Sequence, residues 1–286
     1  MTETARPHPR PPGDISVTAL YTSHAWRWGG LDGAELMETP EARTVFRVTN
    51  FALGIARLLR WDLPRLAPSL VQRHAMIDYL LRASQATEVV ELAAGLSRRG
   101  VSVTRDARVT YTELDLPHMI ARKREILART PAGQAVAARP NLRLVEGDAR
   151  TAPLSRLPAG PGATFIIAEG LLMYLPADEQ RALWGRIASF LKERPVASSS
   201  FVFDLVPACE QPRPGVIGRA LRRLMKAFTG GKSFETDGRT RHDIKAELHD
   251  AGFAAVEMLE PRSLAQAWCL PFPRARTQAL VWHCRV

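Results

Sequence analysis

The sequence predicts an α/β protein built on an open, doubly wound, mostly parallel sheet. Three observations predict it. From residue 88 onward, short apolar runs such as "EVVEL" and "ATFIIAEG" alternate with amphipathic helical segments, the pattern of buried parallel strands joined by crossover helices. A glycine-bearing turn, "LAAGLSRRG", follows the first of these runs. Acidic residues then close one strand after another, at the carboxyl edge where such sheets bind their ligands.

The elements follow in order. The start, "MTETARPHPRPPGD", is proline-rich and charged, without an apolar stretch, so residues 1–13 read as a disordered lead rather than a secretory signal. Residues 14–83 read as a helical lid and cap. "PEARTVFRVTNFALGIARLLRW" sets Val45, Val48, Phe51, Ala52, Ile55, Leu58 and Leu59 at helical spacing, and "LVQRHAMIDYLL" repeats the pattern with Leu70, Met76 or Ile77, and Leu80. Residues 84–286 then carry the strands. "EVVEL" is followed by "RVTYTELD", rich in β-branched and aromatic residues, and by a helix opened by Pro117. "NLRLVEGD" and "ATFIIAEG" are the next strands. "PADEQRALWGRIASFLKE" is a helix with Leu183, Ile187 and Leu191 on one face, and "SSSFVFDLV" is a fifth strand. Residues 207–240 interrupt the alternation with prolines, glycines and a basic segment. A helix ending at Gly252 and the strands "AAVEML" and "TQALVWHCRV" complete the chain.

Composition narrows the function classes. Of 286 residues, 46% are hydrophobic and 24% charged, the balance of a globular domain with a sizeable core. No stretch approaches the roughly 20 apolar residues that cross a bilayer. The three cysteines, Cys209, Cys269 and Cys284, are scattered without metal-ligand or redox spacing, and reduced thiols in a cytoplasmic protein are the expectation. The net charge of +10 comes from arginines spread along the chain, with no base-stacking aromatic module beside them, so nucleic acid is not the expected partner. One basic stretch stands out. In "VIGRALRRLMKAFTGGK", Ile217, Leu221, Leu224 and Phe228 form an apolar stripe opposite Arg219, Arg222, Arg223 and Lys226. It is either a cap packed on the domain or a lid over an anionic substrate.

The turn after the first strand departs from the dinucleotide fingerprint, G-x-G-x-x-G. Its three glycine positions are Ala93, Gly95 and Arg98, so only the close-approach glycine remains. A pyrophosphate needs several bare backbone N–H groups at a helix start; a ligand without one needs a single close approach. Glu113 and Asp115 end the second strand, about 20 residues past the turn, where a carboxylate accepts from ribose hydroxyls. Asp148 ends the third, placed to accept from an adenine amino group, and Glu169 ends the fourth. A ribose, an adenine and no pyrophosphate describe a nucleoside cofactor such as S-adenosylmethionine.

Four segments, "VVELAAGLSRRG", "TYTELDLPHMIARKREIL", "LVEGDAR" and "IIAEGLLMYL", resemble the motifs of leucine carboxyl methyltransferase-like proteins, a family that includes bacterial O-methyltransferases of polyketide biosynthesis. The resemblance covers residues 15–286. It implies a doubly wound, seven-stranded class I methyltransferase (Rossmann-like) sheet, its last strand antiparallel, with an N-terminal helical lid over an S-adenosyl-L-methionine pocket. By position, Arg73 matches a family arginine that pairs with the cofactor's methionine carboxylate, a suitable role for a planar guanidinium. Glu91, Ala93 and Gly95 belong to the cofactor turn, with Gly95 facing the methionine. Asp115 or Glu113 takes the ribose, Asp148 with Ala149 the adenine, and Glu169 lines the pocket near the sulfonium. Ala93 stands where the family usually has glycine.

On the acceptor side the resemblance points Tyr174 towards the substrate. His24 is the candidate base, in the aromatic segment "TALYTSHAWRWGG", and Tyr21 and Trp26 are candidate substrate or sulfonium contacts. Arg222 and Arg223 are candidate contacts to a substrate anion. The expected activity is O-methylation of a carboxylate or hydroxyl on a small molecule of secondary metabolism. A protein carboxyl methyltransferase and a non-methylating cofactor-binding relative are the alternatives.

Overall fold

A computed structural model describes residues 17–58, 65–157, 160, 162–194, 198–210, 238–275 and 277–286. The lead at 1–13 and most of the 207–240 insertion, with Arg222 and Arg223, lie outside them. Seven strands form one sheet in the order β3-β2-β1-β4-β5-β7-β6. They are β1 (Glu88–Leu92), β2 (Thr110–Asp115), β3 (Leu142–Glu146), β4 (Thr164–Ala168), β5 (Ser200–Asp204), β6 (Ala255–Leu259) and β7 (Val281–Arg285). The first five run parallel, and β7 lies antiparallel between β5 and β6. The order reverses between β1 and β4, which places the ligand crevice beyond their carboxyl ends.

Alternation along the strands sorts residues onto two faces. Val90, Leu92, Ile166, Ala168, Phe201, Phe203 and Trp282 pack with Leu183, Trp184 and Ile187 of α7 (Ala177–Lys192) and with Ile244 and Leu248 of α8 (Arg241–Asp250). Val89, Tyr111, Phe165, Ile167, Val202 and Val281 pack the other way. Their partners are Met76, Ile77 and Leu80 of α3 (Leu66–Ser84) and Met119, Ile126 and Leu127 of α5 (Pro117–Ala128). Counting by twos from this second set leads to Glu91, Glu113, Asp115, Glu169 and Asp204. Strand parity therefore aims five carboxylates at the face that α3 covers.

The N-terminal helices depart from the sequence reading in one respect. The helix α1 (Val17–Trp28) lies within the segment read as helical, and α2 (Pro40–Leu58) forms where the periodicity places it. Phe46 of α2 is buried against Tyr21 and Val45 packs against the core, yet most of the stripe read from the sequence lies open: Phe51 is 72% and Leu58 83% exposed, and Val48 and Ile55 are exposed with them. Periodicity reveals that a helix is amphipathic, not what its apolar face meets. A second short helix, α6 (Pro131–Ala137), capped by Thr130, was not read from the sequence. Among the described residues no helix is long and apolar enough to cross a membrane.

Candidate cofactor and acceptor site

The turn between β1 and α4 (Arg99–Val103) has the geometry of a glycine turn without its glycines. Ala93 and Gly95 both take left-handed φ angles, 53° and 55°. Alanine is strained there because its Cβ approaches the following carbonyl oxygen. Ala93→Gly is expected to raise the unfolding free energy by about 0.5–1 kcal/mol, the strain relieved less glycine's extra chain entropy. A denaturant titration measures it, and an unchanged midpoint would show the strain to be relaxed in solution. Gly95 has room for a close approach: a Cβ there would make only an ordinary contact, with Ala19 of α1 at 3.9 Å.

Three side chains brace this turn. Asp115 accepts from the Gly95 N–H at 2.5 Å and from the Leu116 N–H at 2.7 Å. Burial pushes its carboxyl up, against those two bonds. Lys123 of α5 donates to the Ser97 carbonyl at 2.6 Å and forms an ion pair with Glu113. Glu113 is fully buried, and Gly100 passes directly over its carboxylate, where any Cβ would collide. Burial raises the Glu113 carboxyl to about 7 despite Lys123. Of the two acids ending β2, only Asp115 reaches the turn.

Arg99 is the third brace and the centre of a buried ionic network. It donates to Asp78 at 2.7 Å, Glu91 at 2.6 Å and Glu169 at 2.5 Å, and also to the His74 carbonyl at 3.2 Å. Glu91 also accepts from the Tyr111 hydroxyl at 2.7 Å, so it faces inward and underpins the turn. Arg98 pairs with Asp78; burial, then the neighbouring Arg99, lowers its guanidinium to about 10, still charged near neutral pH. Arg73 donates from Nε to Glu169 at 2.8 Å and from Nη1 to Asp204 at 2.7 Å, leaving Nη2 without a partner among the described residues. His74 Nδ1 lies 2.8 Å from Glu169, while its Nε2 is buried without a hydrogen bond.

The charge states follow from this geometry. Burial, and then Arg99, hold His74 neutral. Burial works against ionisation of Glu169, but His74, Arg99 and Arg73 hold its carboxyl well below the usual range. Because His74 is itself neutral, the two guanidiniums provide that stabilisation. Sequence reading found Arg73, Glu91 and Glu169 but missed Asp78, Arg99 and Asp204, and met Arg98 only as the third fingerprint position. The signal for Asp204 was present: it lies two residues past Val202, on the same face as the other acids.

The remaining candidates are more scattered. Asp148 lies past β3, partly exposed, and holds Arg150 in a fork at 3.0 and 2.6 Å; Ala149 is buried. Tyr174 ends a single 3₁₀ turn, Leu172–Tyr174, and shares a hydrogen bond with Thr18 of α1; burial pushes its phenol up. Trp26, 6% exposed, lies tilted against His74 at 4.2 Å, and Tyr21 stacks on Phe46 at 5.2 Å. Both rings pack α1 onto its neighbours. His24 faces Phe46 at 4.7 Å and Glu38 at 3.5 Å, about 9 Å along the helix from Thr18. Burial lowers its imidazole.

The glycine-type turn at Gly95, the Arg73 guanidinium with one nitrogen unbonded among the described residues, and the Asp115 carboxylate at the end of β2 are groups of the kind an S-adenosylmethionine pocket uses. Comparison with known proteins agrees. Residues 33–188 match the family model of leucine carboxyl methyltransferase. A provisionally named S-adenosyl-L-methionine-dependent methyltransferase of Mycobacterium marinum is 29% identical over 232 residues, 74% of this chain and 70% of that protein. One from a Mycobacterium species is 43% identical over 115 residues, 38% of this chain and 37% of that protein. An O-methyltransferase family protein from Burkholderia thailandensis superposes with a TM-score of 0.50 at 15% identity, over 94% of this chain and 71% of that one. A provisionally named O-methyltransferase from Nostoc punctiforme does so with a TM-score of 0.51 at 12% identity, over 77% of this chain; the chain spans 58% of that protein's length. These two superpositions show the class I fold. The family match extends over more than half of the chain, and this protein belongs to the leucine carboxyl methyltransferase family of S-adenosylmethionine-dependent methyltransferases.

Proposed function

We propose that this protein transfers a methyl group from S-adenosylmethionine to an oxygen of a small molecule in secondary metabolism, with polyketide-type acids and phenols the first acceptors to try. The observation that carries the reading is the Nη2 of Arg73, which has no hydrogen-bond partner among the described residues and lies near Gly170 past the end of β4, where a Cβ would sit 3.6 Å from it. Arg73 would hold the methionine carboxylate, the Gly95 backbone would lie against the methionine chain, and Asp115 alone would take the ribose, since Glu113 is enclosed with Lys123. Asp148 and Ala149 would flank the adenine, and Glu169 would face the sulfonium side. Glu91 and Ala93 would shape the turn from behind. The bound cofactor supplies an activated methyl group for in-line displacement, to which the protein adds proximity and orientation. Residues 14–83 would serve as the helical lid, and the 207–240 insertion, with Arg222 and Arg223, as the acceptor's anion contact.

A carboxylate acceptor suits the described residues best. It is ionised near neutral pH and needs no base, whereas a phenol benefits from one. Tyr174, kept protonated by burial, can donate a hydrogen bond to an acceptor oxygen but cannot take its proton. His24 lies two turns of helix from the Thr18–Tyr174 contact, so a base role for it would require a long acceptor.

Calorimetric titration with S-adenosylhomocysteine, in parallel with NADH and NADPH, tests the cofactor placement. Transfer of labelled methyl to panels of small carboxylic acids, phenols and peptide C-termini tests the acceptor. Base-labile methyl esters on small acids are the expected product. Label appearing only on peptide C-termini would move the protein to the protein-methylating class.

A further inference from the structure

Helix α2 carries an apolar stripe that nothing among the described residues covers. On its inner side Phe46 is buried, stacked with Tyr21 and set against His24 and Trp28 of α1. Val48, Phe51, Ile55 and Leu58 lie on the outer side, within about 80° of one another around the helix. They are 63%, 72%, 46% and 83% exposed. That leaves on the order of 500 Å² of apolar surface in water, the size at which a patch on a soluble protein marks an interaction site.

The spacing and the rims narrow what fits this stripe. Steps of three, four and three residues are those of the a and d positions in a helix-pairing seam. A helix lying on a membrane presents a broader apolar face with basic residues along it. Here the stripe is narrow. Arg43 and Arg47 rim it on one side, and Glu41, paired with Arg122 of α5 at 3.5 Å, rims it on the other. Gly54 adds a separate observation. It is exposed beside the stripe, and a Cβ on it would meet nothing within 4 Å. Glycine is the poorest helix former after proline, and no contact among the described residues calls for it there. Against a partner it lets a second backbone come close.

We propose that the outer face of α2 is a self-association surface, on which α2 of a second copy of this chain packs antiparallel. A two-fold axis sets the stripe against itself, so that a positions meet d positions. With the axis between Phe51 and Ile55, Phe51 lies beside the partner's Ile55 and Val48 beside the partner's Leu58. The two Arg47 residues then stand about 18 Å apart along the helices, whereas a parallel pair would set them level. Two such stripes bury about 1000 Å² together, the lower bound for a specific interface. The dimer is therefore weak and depends on concentration.

The test is sedimentation velocity of the full chain from about 1 to 200 µM, the range in which an interface of this size dissociates. Wild-type protein is expected to pass from monomer to dimer across it. The double variant Phe51→Asp, Leu58→Asp, altered only at exposed positions, should stay monomeric throughout with an unchanged unfolding midpoint. Met258→Asp, at an exposed position on the edge strand β6, is the control and should dimerise like wild type. Amide exchange of the wild-type dimer should slow over residues 48–58, a readout that needs no variant. A wild type that is monomeric at every concentration would overturn the inference, and its sedimentation with phosphatidylglycerol vesicles would give the stripe to a lipid surface. A dimer that survives the double substitution, is lost with Met258→Asp, or slows exchange only outside residues 48–58 would place the contact elsewhere and overturn it too.

Discussion

Arg99→Met is expected to lower the unfolding free energy by about 3–5 kcal/mol, the largest stability loss of any single substitution in the described site. Arg99 donates to three carboxylates and to the His74 carbonyl, all within 3.2 Å, and is fully enclosed. Methionine fills much of the same volume but leaves Asp78, Glu91 and Glu169 short of charge compensation. Removing one partner of a buried ionic group is far more damaging than replacing the whole group with apolar side chains. Arg99→Lys should recover only part of the loss, because one ammonium cannot reproduce a planar fork aimed at separate acceptors. Urea titrations of the three proteins decide it. A loss below about 1 kcal/mol for Arg99→Met would mean that water or protons compensate the network.

Arg73→Ala is expected to weaken S-adenosylhomocysteine binding by about 2–4 kcal/mol, on the order of 30- to 1000-fold in affinity. Two effects add. The ligand's carboxylate loses the guanidinium proposed to hold it, and Glu169 and Asp204, now without Arg73, repel a carboxylate arriving between them. The same change destabilises the apoprotein, so titration must be done where unfolding shows the variant still folded. Arg73→Lys keeps the charge but not the fork and should lie between the two. Unaltered affinity in a folded Arg73→Ala protein would remove Arg73 from the cofactor site.

The turn shows how sequence and structure divide the information. Ala93 at the first fingerprint position suggested an altered turn, yet the backbone keeps the left-handed conformation that a glycine would take freely. What holds it is not local: Asp115 from β2, Lys123 from α5 and Arg99 with its carboxylates all brace it. Similar logic separates the two acids of β2. Both were visible as candidates and both point to the α3 face, but their depth decides their use. Glu113, deeper in the strand, meets Lys123 under Gly100; Asp115, at the end, meets the turn.

The sequence by itself determined the elements, the parallel wound sheet and the row of acids at strand ends, because strand alternation and helix periodicity are local patterns that solvent exclusion enforces. The same counting by twos already placed Asp204 with Val202 and Glu91 with Val89. Only the tertiary structure decided which of those acids meet which arginines, and that the stripe of α2 lies open while Tyr21 and Trp26 are packed. Those outcomes depend on where α3 and α1 lie across the sheet. Coulombic and hydrogen-bond energies fall off within a few ångströms, so residues about 130 positions apart, such as Arg73 and Asp204, acquire roles only when the fold closes that distance.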